Sequence, residues 1–233
     1  MMIAGAAQKN RFLGSLAPGT QAALEARLSV HGGAIGDVLQ SADAPMEAVW
    51  FPFSGIISTL RPLERDVNVE VDAAGAEGVV GIEAAIGVRH TADCWVVQSP
   101  GKFGRIELQA FLDTFERDPL LREAARHYLA RLLTLRAQWL VCNARHTIEQ
   151  RLAKWLLVTR DRVGDEIQIT QDVMAMMLGV RRASVVTALG RFVDEEIVAH
   201  SYARVRILDH ERLRGVSCGC YAVAQKLLGG QGG

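Results

Sequence analysis

Within residues 170–192, TQDVMAMMLGVRRASVVTALGRF, the side chains fit for polar contact are guanidinium groups (Arg181, Arg182, Arg191) and hydroxyls (Thr170, Ser184, Thr187). Groups of these kinds hold phosphate oxygens and read the edges of bases. A pair of short helices joined by a tight turn would position them. With Gln171 as the first position, Met174 is fourth, Ala175 fifth, Leu178 eighth, Gly179 ninth, Val180 tenth and Val185 fifteenth. Ala175 is small where a second helix must cross close by, and Gly179 permits a turn that a side chain would penalise. Val180, Val185 and Leu189 face inward, which leaves Arg181, Arg182, Ser184, Thr187 and Arg191 pointing outward. An Ala, Gly, Val pattern alone also occurs in ordinary helical hairpins, so the flanks matter. Residues 165–170, DEIQIT, alternate apolar and polar and end in Thr170, a good N-cap. Beyond the second helix, IVAH (197–200) and RVRIL (204–208) read as two short strands joined at Ser201–Ala203, with Tyr202 at the tip. Strand, helix, turn, helix and hairpin in that order predict a winged helix that binds double-stranded DNA.

Charge divides along the chain. Its 233 residues carry 26 Lys/Arg and 26 Asp/Glu, a net of zero. Residues 1–119 hold 9 basic and 15 acidic residues (−6), residues 120–215 hold 16 and 11 (+5), and Lys226 supplies the last positive charge. The basic half contains the predicted reading head, as neutralising a phosphate backbone requires. An apolar share of 49% is enough for sizeable cores, and the length suits one or two domains. No apolar run approaches the roughly eighteen residues of a membrane span. The N-terminus, MMIAGAAQKNRFLGSL, is short and polar for a secretory signal, so a cytoplasmic location without membrane partners is expected.

The first half reads as a helix followed by β structure. Residues 18–30 have Pro18 and Thr20 near the start and Leu24 and Leu28 at helical spacing. From Gly32 the pattern changes to short apolar runs between glycines: AVWFPF (48–53), GIISTL (55–60), VNVEV (67–71), CWVVQS (94–99) and KFGRIE (102–107). Many short strands imply a sandwich, roll or barrel, a shell that can hold a small ligand. Pro119 to about Arg145 is uninterrupted by Pro or Gly, and Leu121, Tyr128, Leu132, Leu135, Trp139 and Cys142 follow one another at 7, 4, 3, 4 and 3. That is a heptad seam, and it predicts a dimer interface; the other reading is a helix packed on its own β-domain. A two-fold dimer sets two reading heads about 34 Å apart, one turn of duplex.

Together these elements resemble the Crp/Fnr family of bacterial transcription regulators over nearly the whole chain. The resemblance is carried by VWFPFSGIIS (49–58), EGVVGIEAAIG (77–87), CNARHTIEQRLAKWLL (142–157), ITQDVMAMMLGVRRASVVTALGRF (169–192) and the ending SCGCY (217–221). It implies an α+β fold: a β-roll or jelly-roll sensor over 1–118, a dimerisation helix over 119–146, and a winged helix-turn-helix domain over 147–233 whose glycine-rich tail, LLGGQGG, is flexible. It further implies a homodimer on a pseudo-palindromic operator, with RNA polymerase as a further candidate partner. Thr170 and Ser184 correspond to phosphate contacts and Arg182 to the family's base-reading arginine. Ala183 stands where many members carry a base-contacting glutamate, and Thr187 where the cyclic-AMP receptor has a second arginine, so half-site preference should differ.

The effector loop departs from the family's cyclic-nucleotide pattern. A Gly-Glu-Leu turn is replaced by Gly81-Ile82-Glu83, and Arg89-His90-Thr91 separates the arginine and hydroxyl that are adjacent elsewhere. A one-residue shift turns a side chain to the other face of a strand. Gly81, Glu83, Arg89, His90 and Thr91 remain the candidate effector pocket, for an unidentified ligand rather than standard cyclic-AMP recognition. Cys94, Cys142, Cys218 and Cys220 include no C-x-x-C pair, and His31, His90, His127, His146, His200 and His210 are scattered. Free thiols and no metal are expected, with Cys142 a packing residue of the seam. No nucleophile–base motif, P-loop or dinucleotide fingerprint appears, and Glu70, Asp72, Glu77 and Glu83 read as a solvated face, so an enzyme is not expected. The alternative from another class is a signalling module that binds a nucleotide or other anion in the β-roll and has no DNA function.

Overall fold

The computed structural model describes Gly5 and residues 8–63 and 68–229. Two compact units share the chain: residues 1–61 with 72–134, and residues 62–71 with 135–233. Along the first part of the chain, α1 (Arg11–Gly14) and α2 (Pro18–Glu25) precede seven strands: β1 (Ser29–Gly33), β2 (Val38–Gln40), β3 (Ala48–Pro52), β4 (Ile56–Pro62), β5 (Asn68–Ala74), β6 (Cys94–Ser99) and β7 (Gly101–Glu107). The strands form two antiparallel sheets, β1-β7-β3 and β2-β6-β4-β5, the β-roll expected from the short apolar runs. Phe51, Phe103, Ile57 and Ile106 are fully buried between them. Gly55 turns β3 into β4 at φ +75°, where a Cβ would lie 2.5 Å from the Ser99 carbonyl oxygen, so only glycine fits.

Several elements exceed the sequence expectation. β1 and β2 are polar or exposed on most positions and carry little apolar signal. α1 is held by Asn10, whose side chain accepts from the Leu13 amide at 3.1 Å and donates to the Pro52 and Gly78 carbonyls at 3.0 and 2.9 Å. α3 (Leu108–Arg117) interposes a helix before the long one, with Phe111 at its core. The start of the third expected run, Val67, lies outside the described residues.

α4 spans Pro119–Arg145 and belongs to both units. Asp118 starts it, accepting from the Leu120 and Leu121 amides at 2.8 and 3.2 Å. The predicted seam is turned inward. Leu121 and Cys142 are 0% exposed, Leu135 4% and Leu132 9%, and Tyr128 and Trp139 are half-buried, all within one chain. The physical reason is that a 3.5-residue period marks any helix with one long buried stripe, and here that stripe packs on the chain's own cores. The apolar residues left open on α4 are Leu133, Leu140 and Val141, 68%, 72% and 52% exposed.

The second unit continues with α5 (Ile148–Val163), β8 (Glu166–Gln168), α6 (Gln171–Leu178), α7 (Arg182–Asp194), β9 (Val198–Ser201), β10 (Arg204–Ile207), α8 (His210–Val216) and α9 (Cys220–Gly229). α5 opens with a capping box in which Thr147 and Gln150 satisfy each other's backbone amides, and it buries Leu152 through Thr159. α8 and α9 were not expected. The tail expected at 227–233 is helical through Gly229, and residues 230–233 lie outside the described residues. Among the described residues no single helix is long and apolar enough to cross a membrane.

Candidate nucleic-acid interface

The turn between α6 and α7 follows from three residues. Thr170 caps α6, its hydroxyl accepting from the Val173 amide at 3.3 Å. Gly179 ends it in the left-handed conformation (φ 61°, ψ 40°), and the Val180 and Gly179 amides close onto the Ala175 and Met176 carbonyls. The chain then turns by 110° into α7, within the range of helix-turn-helix motifs. Met174, Ala175, Leu178, Val185, Ala188, Leu189 and Phe192 are buried at 5% exposure or less and form the common core. Arg151 of α5 donates to the Leu178 carbonyl and fixes the end of α6.

This core leaves Arg181, Arg182, Thr187 and Arg191 exposed and Ser184 half-buried at the start of α7. Arg181 occupies the N-cap and Arg182 the first helical position. Two of the cations rest on carboxylates: Arg182 Nε lies 3.4 Å from Asp172 Oδ1, and Arg191 Nη1 lies 2.6 Å from Glu149 Oε1. Thr187 donates to the Ala183 carbonyl at 3.0 Å, which leaves its oxygen lone pairs available as acceptors. The wing is the antiparallel sheet β8-β10-β9, with Arg204 opposite Ser201 and a two-residue tip of Tyr202 and Ala203. Tyr202 is 94% exposed. β10 alternates outward Arg204 and Arg206 with inward Val205 and Ile207. Those two arginines were not singled out from the sequence, although the alternation in RVRIL places both on the outer face.

The effector-loop residues share one segment of the first unit. Gly81 (φ +88°) starts a 3-10 helix over Ile82–Ile86, and Gly87 (φ +95°) closes it. Ile82 is fully buried in the core, Glu83 is half-buried, and Arg89 and His90 are exposed. Arg89 donates to the Ala84 and Val88 carbonyls at 2.8 and 3.0 Å, so its guanidinium holds its own loop together. Thr91 accepts from the Asp93 amide at 3.0 Å. Two of the acids read as a solvated face are in fact buried, Asp72 at 9% and Glu77 at 6% exposure; Asp72 accepts from the Ala73 amide within β5 and Glu77 from the Gly75 amide. Tyr128, donating to the Val79 carbonyl, is held above the ordinary tyrosine range by burial first and then by the negative charge of Asp72, Glu77 and Glu83.

All four cysteines are free, as expected, but three of them and one histidine converge. Cys142, His146, Cys218 and Cys220 come together in the second unit, each offering a sulfur or nitrogen within 4.8 Å of the others. Cys142 lies in the last turn of α4 and His146 just beyond its end, its amide on the Cys142 carbonyl at 3.1 Å, while Cys218 and Cys220 flank the turn from α8 into α9. Cys142 Sγ is 3.6 Å from Cys218 Sγ, and Cys220 Sγ is 3.6 Å from His146 Nδ1. The Cys218 thiol is lowered to about 5, chiefly by its hydrogen bond with Cys142. Gln138 donates to Cys220 Sγ at 3.0 Å, and the buried Lys154 lies beside the group with its ammonium 3.9 Å from the Trp139 ring centre. Packing of α5 against α8 and α9 closes the 76-residue gap between the two halves of the cluster. The sequence signal was C-x-x-x-H on a helix with C-x-C downstream.

Known proteins place this arrangement. Residues 150–216 match the family model of the Crp-like helix-turn-helix domain. No curated protein matches the sequence. Solved structures share the fold at low identity. FixK2 from Bradyrhizobium japonicum is 15% identical with a TM-score of 0.70, over 82% of this chain and 98% of that one. A Crp/Fnr-family transcriptional regulator from Thermus thermophilus is 16% identical with a TM-score of 0.67, over 81% and 98%. The c-di-GMP-responsive global regulator CLP of Xanthomonas campestris is 14% identical with a TM-score of 0.67, over 82% and 99%. Residues 150–216 are thus similar to Crp-like helix-turn-helix domains, on a chain that shares its fold with these solved structures.

Proposed function

We propose that this protein is a cytoplasmic, homodimeric regulator that binds a pseudo-palindromic DNA operator. The observation that carries the reading is the start of α7, with Arg181 and Arg182 exposed and Ser184 half-buried, set on a buried helix-turn-helix core beside a wing whose tip is Tyr202. Arg182 reads a base edge, guanine by preference, in the major groove, with Arg181 and Thr187 beside it. Thr170, Ser184, Arg191 and Tyr202 contact phosphates, and Arg204 and Arg206 add to the positive face. Asp172, Glu149 and Glu166 hold Arg182, Arg191 and Arg204 until the duplex replaces them.

Dimerisation runs along the open face of α4. Ala130, Leu133, Ala137, Leu140 and Ala144 recur at 3 and 4 residues with Val141 beside them, and all six are exposed, a second stripe suited to a partner helix. Residues 1–118 sense, 119–146 join the protomers, and 147–233 bind DNA. RNA polymerase is a further partner where the operator lies by a promoter. The effector is not cyclic AMP bound in the standard way. Ile82 fills the position of the ribose-binding carboxylate, and Arg89 is committed to its own loop.

Selection of bound duplexes from a random library, followed by salt titration, tests the reading. An enriched palindrome with half-sites one turn apart is expected. Affinity should fall steeply with salt, by a log–log slope of about −0.9 per phosphate contacted. Failure to enrich any sequence would overturn it, and would favour the anion-binding module without DNA function.

A further inference from the structure

We infer that Cys142, His146, Cys218 and Cys220 form a tetrahedral site for one zinc-class divalent ion. Three sulfurs and one imidazole nitrogen are a complete structural zinc set. The spacing fits a single ion: zinc–sulfur bonds of about 2.3 Å put the corners of a tetrahedron about 3.8 Å apart. The Cys142–Cys218 and Cys220–His146 separations of 3.6 Å match that edge, and the whole set lies within 4.8 Å. A cubane iron–sulfur cluster carries its ligands on the outside of a larger core and needs them farther apart than this.

Charge and surroundings agree. Three thiolates and a divalent ion sum to −1, and the ammonium of Lys154, buried beside Cys142 and Cys218, restores neutrality. An unbalanced charge in such a place would be costly. Gln138 donates to Cys220 Sγ, the outer-shell hydrogen bond that orients a metal thiolate. The three thiols are each 4% exposed or less, so the ion would be closed off from solvent and its role structural. Bound there, it fastens the α8–α9 turn to the last turn of α4. α9 then gains a covalent-strength anchor that its few buried side chains, Cys220, Tyr221 and Ala224, do not supply.

The test uses the full chain without an affinity tag, purified under reducing conditions from zinc-supplemented medium. About one zinc per chain should survive gel filtration, and Co(II) substitution should give the intense visible bands of a tetrahedral thiolate site. Cys218→Ser and Cys220→Ser should lose the ion, while Cys94→Ser, outside the cluster, should keep it. In the unaltered protein a thiol reagent should titrate Cys94 alone until a strong chelator releases the other three. That measurement does not depend on the variants folding. Zinc absent from the wild-type chain, a Cys142–Cys218 disulfide in its place, or iron accompanied by labile sulfide would each overturn the assignment. Because metal content is measured without DNA, this result stands apart from that of the operator selection.

Discussion

Replacing Arg182 by alanine removes one guanidinium from the first position of α7 without touching the buried face of Val185, Leu189 and Phe192. A well-placed arginine on a base edge discriminates by about 1–3 kcal/mol per half-site. In the free protein the same guanidinium rests on Asp172, with the two side chains 62% and 71% exposed. An exposed pair of that kind is worth about 0–1 kcal/mol, and binding must give it up. At the midpoints of these ranges, about 2 and about 0.5 kcal/mol, the net loss is about 1.5 kcal/mol per half-site. A two-fold complex doubles it to about 3 kcal/mol, roughly a 140-fold weakening on the selected operator. Fluorescence anisotropy at fixed salt measures this, using the selected duplex, every substitution at the contacted base pair, and a scrambled duplex. The variant should weaken on the operator, lose preference at one symmetric base pair, and change little on the scrambled duplex. Asp172→Asn should act oppositely and tighten binding to all duplexes. Equal losses on operator and scrambled DNA would show that Arg182 serves only as a phosphate contact, and the base-reading argument would fail.

Leu140→Lys places a charge in the middle of the open stripe of α4; light scattering should show a monomer at micromolar concentration, and an unchanged dimer mass would remove that face from the interface. Thr170→Ala deletes the cap of α6 and a phosphate contact, so it should destabilise the second unit by about 1 kcal/mol in denaturant and weaken binding uniformly across sequences. A sequence-selective effect at Thr170 would contradict its assignment. Asp118 is held below the ordinary carboxyl range, first by its hydrogen bond from Thr20 and then by the Leu121 and Leu120 amides. A depressed carboxylate contributes stability that is present above its unfolded value near 4 and lost as pH falls through its lower folded value. The deficit of Asp118→Asn in denaturation should therefore be full at neutral pH and shrink in acid; a deficit independent of pH would refute the account.

The helix-turn-helix was legible because its geometry leaves little freedom. Ala175, Gly179 and Val185 each answer a steric demand, and the demands come at fixed intervals. The long helix was legible too, but not which of its faces the chain itself covers. Two apolar stripes with heptad spacing run along α4, and the one with the larger side chains, Leu121 to Cys142, is buried by the chain itself. Periodicity reports burial, not what does the burying. The cysteine cluster was hidden because its halves are brought together by packing of α5, α8 and α9, and the last two helices left little trace in the apolar pattern. In the effector loop the departure from Gly-Glu-Leu was readable. The use of Arg89 as a clasp on Ala84 and Val88 was not, since backbone carbonyl partners have no side-chain signature.

The two-residue tip at Tyr202–Ala203 limits how this protein can change its reach. A single inserted residue must enlarge the tip or form a bulge, because carried into one strand it would swap that strand's inward and outward sides and draw Val205 and Ile207 into water. The paired arms themselves lengthen by matched additions. Two residues on each would advance the phenol by about 7 Å and keep its aspect. Descendants of this sequence that probe a wider or more bent duplex should therefore differ here by paired steps.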